Sequence, residues 1–202
     1  AADFENSGEV DISGSISFQG NWHQSQGRTV VHTGASASGS DFNVSGGVVT
    51  GTGVIAANLI NVGGVVNPGS PFGNLATSAG KSYQQTAGAT LSVSLGGSSG
   101  SSLAAIGGNA TLNGQLQINL VNGFVPQSGQ VFEVLSCTLL AGKFSTLSGS
   151  PLAGQVWITR YSSTNVTLLV AGQAVLNKPS FSGPSPSLAI PTTAGVVYTV
   201  EA

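Results

Sequence analysis

The sequence predicts an all-β solenoid, in which short strands stack as successive coils beneath a longer-stranded cap. Three observations point there. From Gly46 to Leu75, the apolar pairs Val48-Val49, Val54-Ile55, Leu59-Ile60 and Val65-Val66 recur every five to six residues between glycine, asparagine and proline turns. That spacing is too close for helices and too regular for a structureless loop. The 202 residues include only five Lys or Arg and seven Asp or Glu, but 30 glycines, where ordinary soluble proteins are roughly a quarter charged. Finally, Trp22–His32 aligns without gaps on Tyr83–Val93, giving aromatic-x-Gln-[Ser/Thr]-x-Gly-x-Thr-[Val/Leu] at an offset of 61 residues.

Residues 1 to about 12 carry four of the seven acids, Asp3, Glu5, Glu9 and Asp11. Their alternation with Phe4, Val10 and Ile12 predicts exposed acids on an early strand. Oxygen ligands of this kind also suit calcium, but the compact Asp-x-Asp-x-Asp-Gly loop is missing. The repeat comes next. With coils of about 20 residues, its offset corresponds to three coils, so the two copies are expected to stack on one face. Each copy reads as aromatic strand, glycine corner and β-branched strand, the glycine relieving the backbone at the corner. Gln24 and Gln85, with Ser25 and Thr86, form side-chain ladders along the stack or are plain solvated positions; the residues leave both readings open.

From Thr90 to Val170 the apolar segments lengthen into Leu91–Leu95, Leu116–Val121, Val131–Leu135, Val156–Tyr161 and Val166–Val170, with period-two alternation. This is the half-buried pattern of antiparallel sheet and predicts a cap from about residue 90. Phe124, Phe132, Phe144 and Trp157 supply aromatic mass to close the open end. Residues 1–172 are thus one solenoid with its cap. Residues 173–202 form a second region, a connector containing Pro179, Pro184, Pro186 and Pro191 followed by the strand Val196, Val197, Tyr198, Thr199 and Val200. An isolated strand needs a sheet edge. It folds back on its own body, is donated to a neighbouring subunit, or begins a further domain.

Gly46-Gly-Val-Val-Thr-Gly-Thr-Gly-Val-Ile, Asn67-Pro-Gly-Ser-Pro-Phe-Gly-Asn-Leu75 and Tyr83-Gln-Gln-Thr-Ala-Gly-Ala-Thr-Leu91 resemble the autotransporter-associated β-strand repeats of bacterial surface proteins. Gly114–Leu135 looks like the segment that ends such arrays. The resemblance covers residues 7 to 171 and departs from the family pattern at Phe72 and Cys137. It implies a right-handed parallel β-helix, exported and displayed at the surface of a Gram-negative bacterium, with no catalytic residues to transfer.

Chemistry has few residues to work with. The basic residues Arg28, Lys81, Lys143, Arg160 and Lys178 are scattered and the net charge is −2, so no cationic stripe exists to neutralise nucleic-acid phosphates. No apolar run approaches the ~20 residues of a membrane-spanning helix. The opening Ala-Ala-Asp fits a chain whose signal peptide has been removed; an excised fragment would look the same. Cys137 is the only cysteine, read as a small buried strand residue. Beyond residue 11 the acids are Asp41, Glu133 and Glu201, too dispersed to predict the paired carboxylates of glycoside hydrolysis. Arg28 with Asp41 is the best base and acid for a lyase, and His23, His32 and Asp41 the best metal set. Gly80-Lys-Ser82 lacks the earlier glycine of a phosphate loop, since Leu75 stands there.

The expected function is therefore structural: a secreted, non-enzymatic subunit of a surface fibre, filament or layer, homo-oligomeric or polymeric, joined by strand addition through Val196–Val200. No metal, cofactor, nucleic-acid partner or membrane span is expected. The alternative is a monomeric adhesin whose polar faces bind surface glycans, with Trp22 and Tyr83 as stacking platforms. A polysaccharide-active β-helix enzyme is the third reading.

Overall fold

Frequent glycine corners leave strands of only a few residues, and such strands find backbone partners only in the coils above and below. The computed structural model describes residues 3–69, 71–97, 100–172, 180–181 and 186–187. The chain begins with β1 (Phe4–Asn6), β2 (Glu9–Ile12) and β3 (Ser15–Ser17), one strand on each of three faces. It continues through β4 (Trp22–Gln24), β5 (Arg28–Val31), β6 (Ser36–Val44), β7 (Val48–Gly51), β8 (Val54–Asn61) and β9 (Val65–Pro68). Then come β10 (Asn74–Thr77), β11 (Tyr83–Gln85), β12 (Thr90–Leu95), β13 (Leu103–Ala105), β14 (Ala110–Leu112) and β15 (Gln115–Leu120). The last coils hold β16 (Val131–Ser136), β17 (Leu140–Gly142), β18 (Thr146–Ser148), β19 (Gln155–Tyr161) and β20 (Asn165–Gly172). A two-stranded piece, β21 (Ser180–Phe181) with β22 (Pro186–Ser187), lies in the tail.

Pairing is parallel from coil to coil. The first face stacks β1, β4, the end of β6, the end of β8, β11, β14 and β17. The second stacks β2, β5, β7, β9, β12, β15 and β18. The third stacks β3, the starts of β6 and β8, β10, β13 and β16. The result is a right-handed parallel β-helix, with no helix among the described residues.

The register carries Trp22 onto Phe42, Phe42 onto Leu59 and Leu59 onto Tyr83. The two copies of the repeat therefore lie three coils apart on one face, as their spacing predicts. Alternation decides what goes inside. Val49, Val66, Leu91 and Leu116 form one interior column and Leu75, Ala104 and Leu135 another, all nearly solvent-free. At the first corner Gly27 has φ +67°, and a Cβ there would lie 1.9 Å from the Gly8 carbonyl oxygen of the preceding coil. Gly47 repeats the geometry, its Cβ position 2.4 Å from the Gly27 oxygen. Only glycine meets both demands, a left-handed backbone and no side chain between coils.

Coils grow along the stack. Phe4, Trp22, Phe42, Leu59, Tyr83, Ala110 and Leu140 occupy equivalent positions yet differ in number by 18, 20, 17, 24, 27 and 30. The added residues lie in corner loops.

The expected cap boundary near residue 90 is corrected by the pairing. β12 and β15 run parallel over six residues, and β15 runs parallel to β18. Among the described solenoid strands, antiparallel pairing begins where β20 meets β16 and β19 meets β20; earlier there are just the isolated bridges Gly51–Gly69 and Leu95–Ser101. The physical reason is that period-two alternation reports a half-buried face and carries no information about the neighbour's direction. Cys137 is also corrected: it is half-exposed just after β16, not buried on a strand. Val196, Val197, Tyr198, Thr199 and Val200 lie outside the described residues.

Candidate functional site

Trp22 and Tyr83, the expected glycan platforms, are each 1% exposed. Both side chains point into the core, because the aromatic position of the repeat falls on the inward side of the first face. Trp22 packs 4.3 Å from Phe4, 4.9 Å from Phe42 in a stacked pair and 4.8 Å from Phe18 edge-on, centroid to centroid. Tyr83 donates its hydroxyl to Gln85 Oε1 at 2.6 Å. Burial pushes its phenol well above the ordinary tyrosine value. Neither ring presents a face to a sugar.

Two residues further on, Asn6, Gln24, Asn61 and Gln85 are buried at equivalent positions of different coils. Gln24 Oε1 accepts from Asn6 Nδ2 at 2.8 Å and from the Thr29 hydroxyl. Gln85 Nε2 donates to the carbonyls of Ala89, Asn113 and Gln115 at 3.1, 2.8 and 3.0 Å. Asn61 donates to the Thr90 carbonyl at 3.2 Å and accepts from the Gly64 N–H at 3.0 Å. The amides thus satisfy backbone groups at the corner, where strand-to-strand bonding lapses and an unpaired carbonyl would be costly. They are structural and internal, so of the two readings of Gln24 and Gln85 the solvated one fails. Gln24 and Gln85 also sit too far apart, with Val44 and Asn61 between, to bond each other. The hydroxyls bond the backbone of the preceding coil: Ser25 donates to Asn6 O, Ser45 to Gln24 O and Thr86 to Val62 O.

Three of the N-terminal acids face basic side chains on the next coil. Asp3 lies 3.5 Å from His23, Glu9 lies 3.6 Å from Arg28, and Asp11 touches His32. The Asn21 backbone N–H, donating at 2.8 Å, is the main cause holding the Asp3 carboxyl below its usual range, with His23 adding to it. Such exposed pairs contribute little stability, but charge on an end coil discourages further strand pairing.

These contacts disperse the other candidate sets. Arg28 pairs with Glu9, and Asp41 accepts from Asn58 Nδ2 at 2.9 Å. His23 and His32 each meet a different acid, and among the described residues no three of His, Cys, Asp and Glu converge on one point. Burial raises the Cys137 thiol above its ordinary value, the opposite of an activated nucleophile. The described residues form no helix long and apolar enough to cross a membrane.

Compared with known protein families and with curated proteins, the chain matches none. The surface itself must therefore point to the site.

Outside the first coils, exposed large apolar residues concentrate at the C-terminal end: Val125, Val131, Leu139, Leu147, Leu152 and Val156 are 40 to 55% exposed. Leu147 shows why. It continues the interior column Val66, Leu91, Leu116, but among the described residues no strand stacks beyond β18 to cover it. On the antiparallel part of the third face, Leu168 and Val170 join the core, while Leu169 and Ala171 alternate with them, so they face outward yet are buried at 4 and 0%. This part of the sheet is apolar on both sides. Sequence reading missed the patch because alternation marks Leu147 as interior; only the end of the stack exposes it.

Proposed function

We propose that this chain is an extracellular structural module, a repeating subunit of a surface fibre, filament or layer whose copies join by β-strand addition. It acts without catalysis, cofactor or metal, and its setting is the surface of a Gram-negative bacterium, in keeping with the resemblance of its motifs to autotransporter-associated repeats. The observation that carries the reading is where the molecule spends its polar side chains. Serine, threonine, asparagine and glutamine pair from coil to coil along the stack, as in Asp41–Asn58–Ser82 at 2.9 to 3.2 Å and Thr33–Thr52 at 2.6 Å. Polar groups committed to the scaffold serve rigidity and leave the partner-binding capacity to the ends.

Low charge favours contact between copies, since little repulsion keeps them apart. Deleting residues 177–202 and viewing the product by negative-stain microscopy tests the assembly. The expected result is a folded monomer that forms no filaments; filaments unchanged by the deletion would overturn the strand-addition mechanism. The glycan-binding alternative loses Trp22 and Tyr83 as its platforms, since both are core residues.

A further inference from the structure

We propose that Asn113–Gly114 is a self-modifying site, where the folded chain closes a succinimide ring and water opens it to aspartate or isoaspartate. The pair stands at the corner between β14 and β15. Gly114 N lies 2.8 Å from Asn113 Oδ1, so the nitrogen that attacks and the side-chain amide it attacks are already in contact. Glycine sets no Cβ beside that nitrogen, and Asn113 is exposed, so water reaches the ring. The neighbouring coils hold both reacting groups. Gly114 O accepts from the Ser145 and Thr146 backbone N–H groups at 2.8 and 3.1 Å, which fills both of its lone pairs. Ser145 Oγ, 3.0 Å from that carbonyl and 3.1 Å from Asn113 Oδ1, therefore has its proton free for the side-chain oxygen. Negative charge gathers on this oxygen as Cγ becomes tetrahedral, and a donor already in place stabilises it. From the preceding coil Gln85 Nε2 donates to Asn113 O at 2.8 Å, drawing electrons from the peptide whose nitrogen must lose its proton.

Gly114 N gives its proton to water and bonds Asn113 Cγ. The tetrahedral carbon then releases its own nitrogen, which takes up a proton and leaves as ammonia. One water adds to either ring carbonyl and breaks that C–N bond: opening at Cγ gives aspartate, opening at the main-chain carbonyl gives isoaspartate. Other corner amides are differently placed. Asn6 Oδ1 accepts from the Gly8 N–H and Asn61 Oδ1 from the Gly64 N–H, two and three residues on, and the residues that follow directly are Ser7 and Val62. The chain's other Asn-Gly pair, Asn122–Gly123, has the same residues on a different backbone. Asn122 has φ +54°, in a turn closed by the Phe124 N–H on Val121 O at 3.0 Å. A left-handed residue has ψ of about +30 to +60°, which turns the next nitrogen away from its own side chain. At Asn113 the product matters to the stack. Either form puts a carboxylate at the corner, and isoaspartate also adds a backbone carbon where even a Cβ on Gly114 would lie 2.4 Å from the Ala89 and Thr86 oxygens.

Peptide mapping by mass spectrometry, on the full chain incubated at neutral pH in heavy-oxygen water, tests it, because each converted site takes up one labelled oxygen. In the folded protein Asn113 is expected to convert about tenfold faster than Asn122, the gain from holding the reacting atoms together. In urea, where both are plain Asn-Gly pairs, the two should convert at similar rates. Ser145→Ala should slow Asn113 about fivefold, the effect of one hydrogen bond, and leave Asn122 unchanged. Ser145→Thr keeps the hydroxyl and should keep the rate. Conversion of Asn113 no faster than that of Asn122 in the folded chain, a lead over Asn122 that persists in urea, or a rate at Asn113 indifferent to Ser145→Ala would each overturn the proposal. The comparison of Asn113 with Asn122 is made within the unaltered chain, so it holds whatever the substitutions do to folding.

Discussion

Replacing Trp22 with alanine distinguishes a core ring from a binding platform, and the structure sets the size of the effect. The indole is 1% exposed and lies within 5 Å, centroid to centroid, of Phe4, Phe42 and Phe18. Truncating a core tryptophan costs about 3–5 kcal/mol. Two features place this site at the low end. Its Nε1–H is buried without a hydrogen-bond acceptor, so removal also relieves a desolvation cost of about 1–3 kcal/mol. It also lies on the second coil, whose outer neighbour can settle into the space. The expected loss is therefore about 3 kcal/mol, or roughly 6–12 °C in melting temperature for a chain of this size. Trp22→Phe keeps the stacking and drops the unsatisfied donor, so it should stay within about 1 kcal/mol of the parent. Because solenoid stability sums over neighbouring coils, hydrogen exchange should quicken in β1 to β6 and leave β12 and β15 unchanged. A Trp22→Ala protein with parental melting and exchange would refute the packing argument, and loss of glycan binding in that same protein would put the ring on the surface.

Three further outcomes follow from the coils. Gly27→Ala should cost more than about 2 kcal/mol, since it combines a left-handed backbone with a Cβ against the Gly8 carbonyl. Gly88→Ala, whose Cβ would lie 3.3 Å from the Val62 oxygen, should stay within about 1 kcal/mol in urea titration; equal losses would contradict this. Gln85→Leu should cost about 2–3 kcal/mol by removing its bonds to the Ala89, Asn113 and Gln115 carbonyls and stranding the buried Tyr83 hydroxyl. At its exposed neighbour Gln84→Leu should be nearly neutral. Burial raises the Tyr83 phenol above its unfolded value near 10. Its contribution is therefore fully present below about pH 10 and lost as pH rises through the folded value. Tyrosinate absorbance should show this residue ionising only with unfolding, and Tyr83→Phe should flatten the alkaline loss of stability. A Tyr83 that titrates near 10 in the folded protein would count against its burial.

The residues announce the coil repeat well and the direction of chain pairing poorly. Trp22 and Tyr83 are legible as stacked equivalents because motif spacing and coil length share one unit. Val49, Val66, Leu91 and Leu116 are legible as interior because alternation is a one-body property of each strand. The parallel pairing of β12 with β15 is a two-body property, and Leu91–Leu95 reads the same beside either neighbour. Gln24 and Gln85 mislead differently: an amide is polar wherever it occurs, and only the carbonyls of the corner make the interior a favourable place for it. The repeat itself held a signal, since an amide two positions after an inward aromatic shares its side of the strand.

The lengthening of the coils has a mechanical meaning. Phe4 and Gly172 lie at opposite ends of the stack, so tension applied through them pulls along the axis and loads the bonds between coils in series. Coils then peel off one at a time instead of shearing together. At roughly 3.4 Å per extended residue, a released coil of 18 residues yields about 60 Å of slack and one of 30 residues about 100 Å. A fibre made of such units would stretch in steps, and the step length would report which end is giving way.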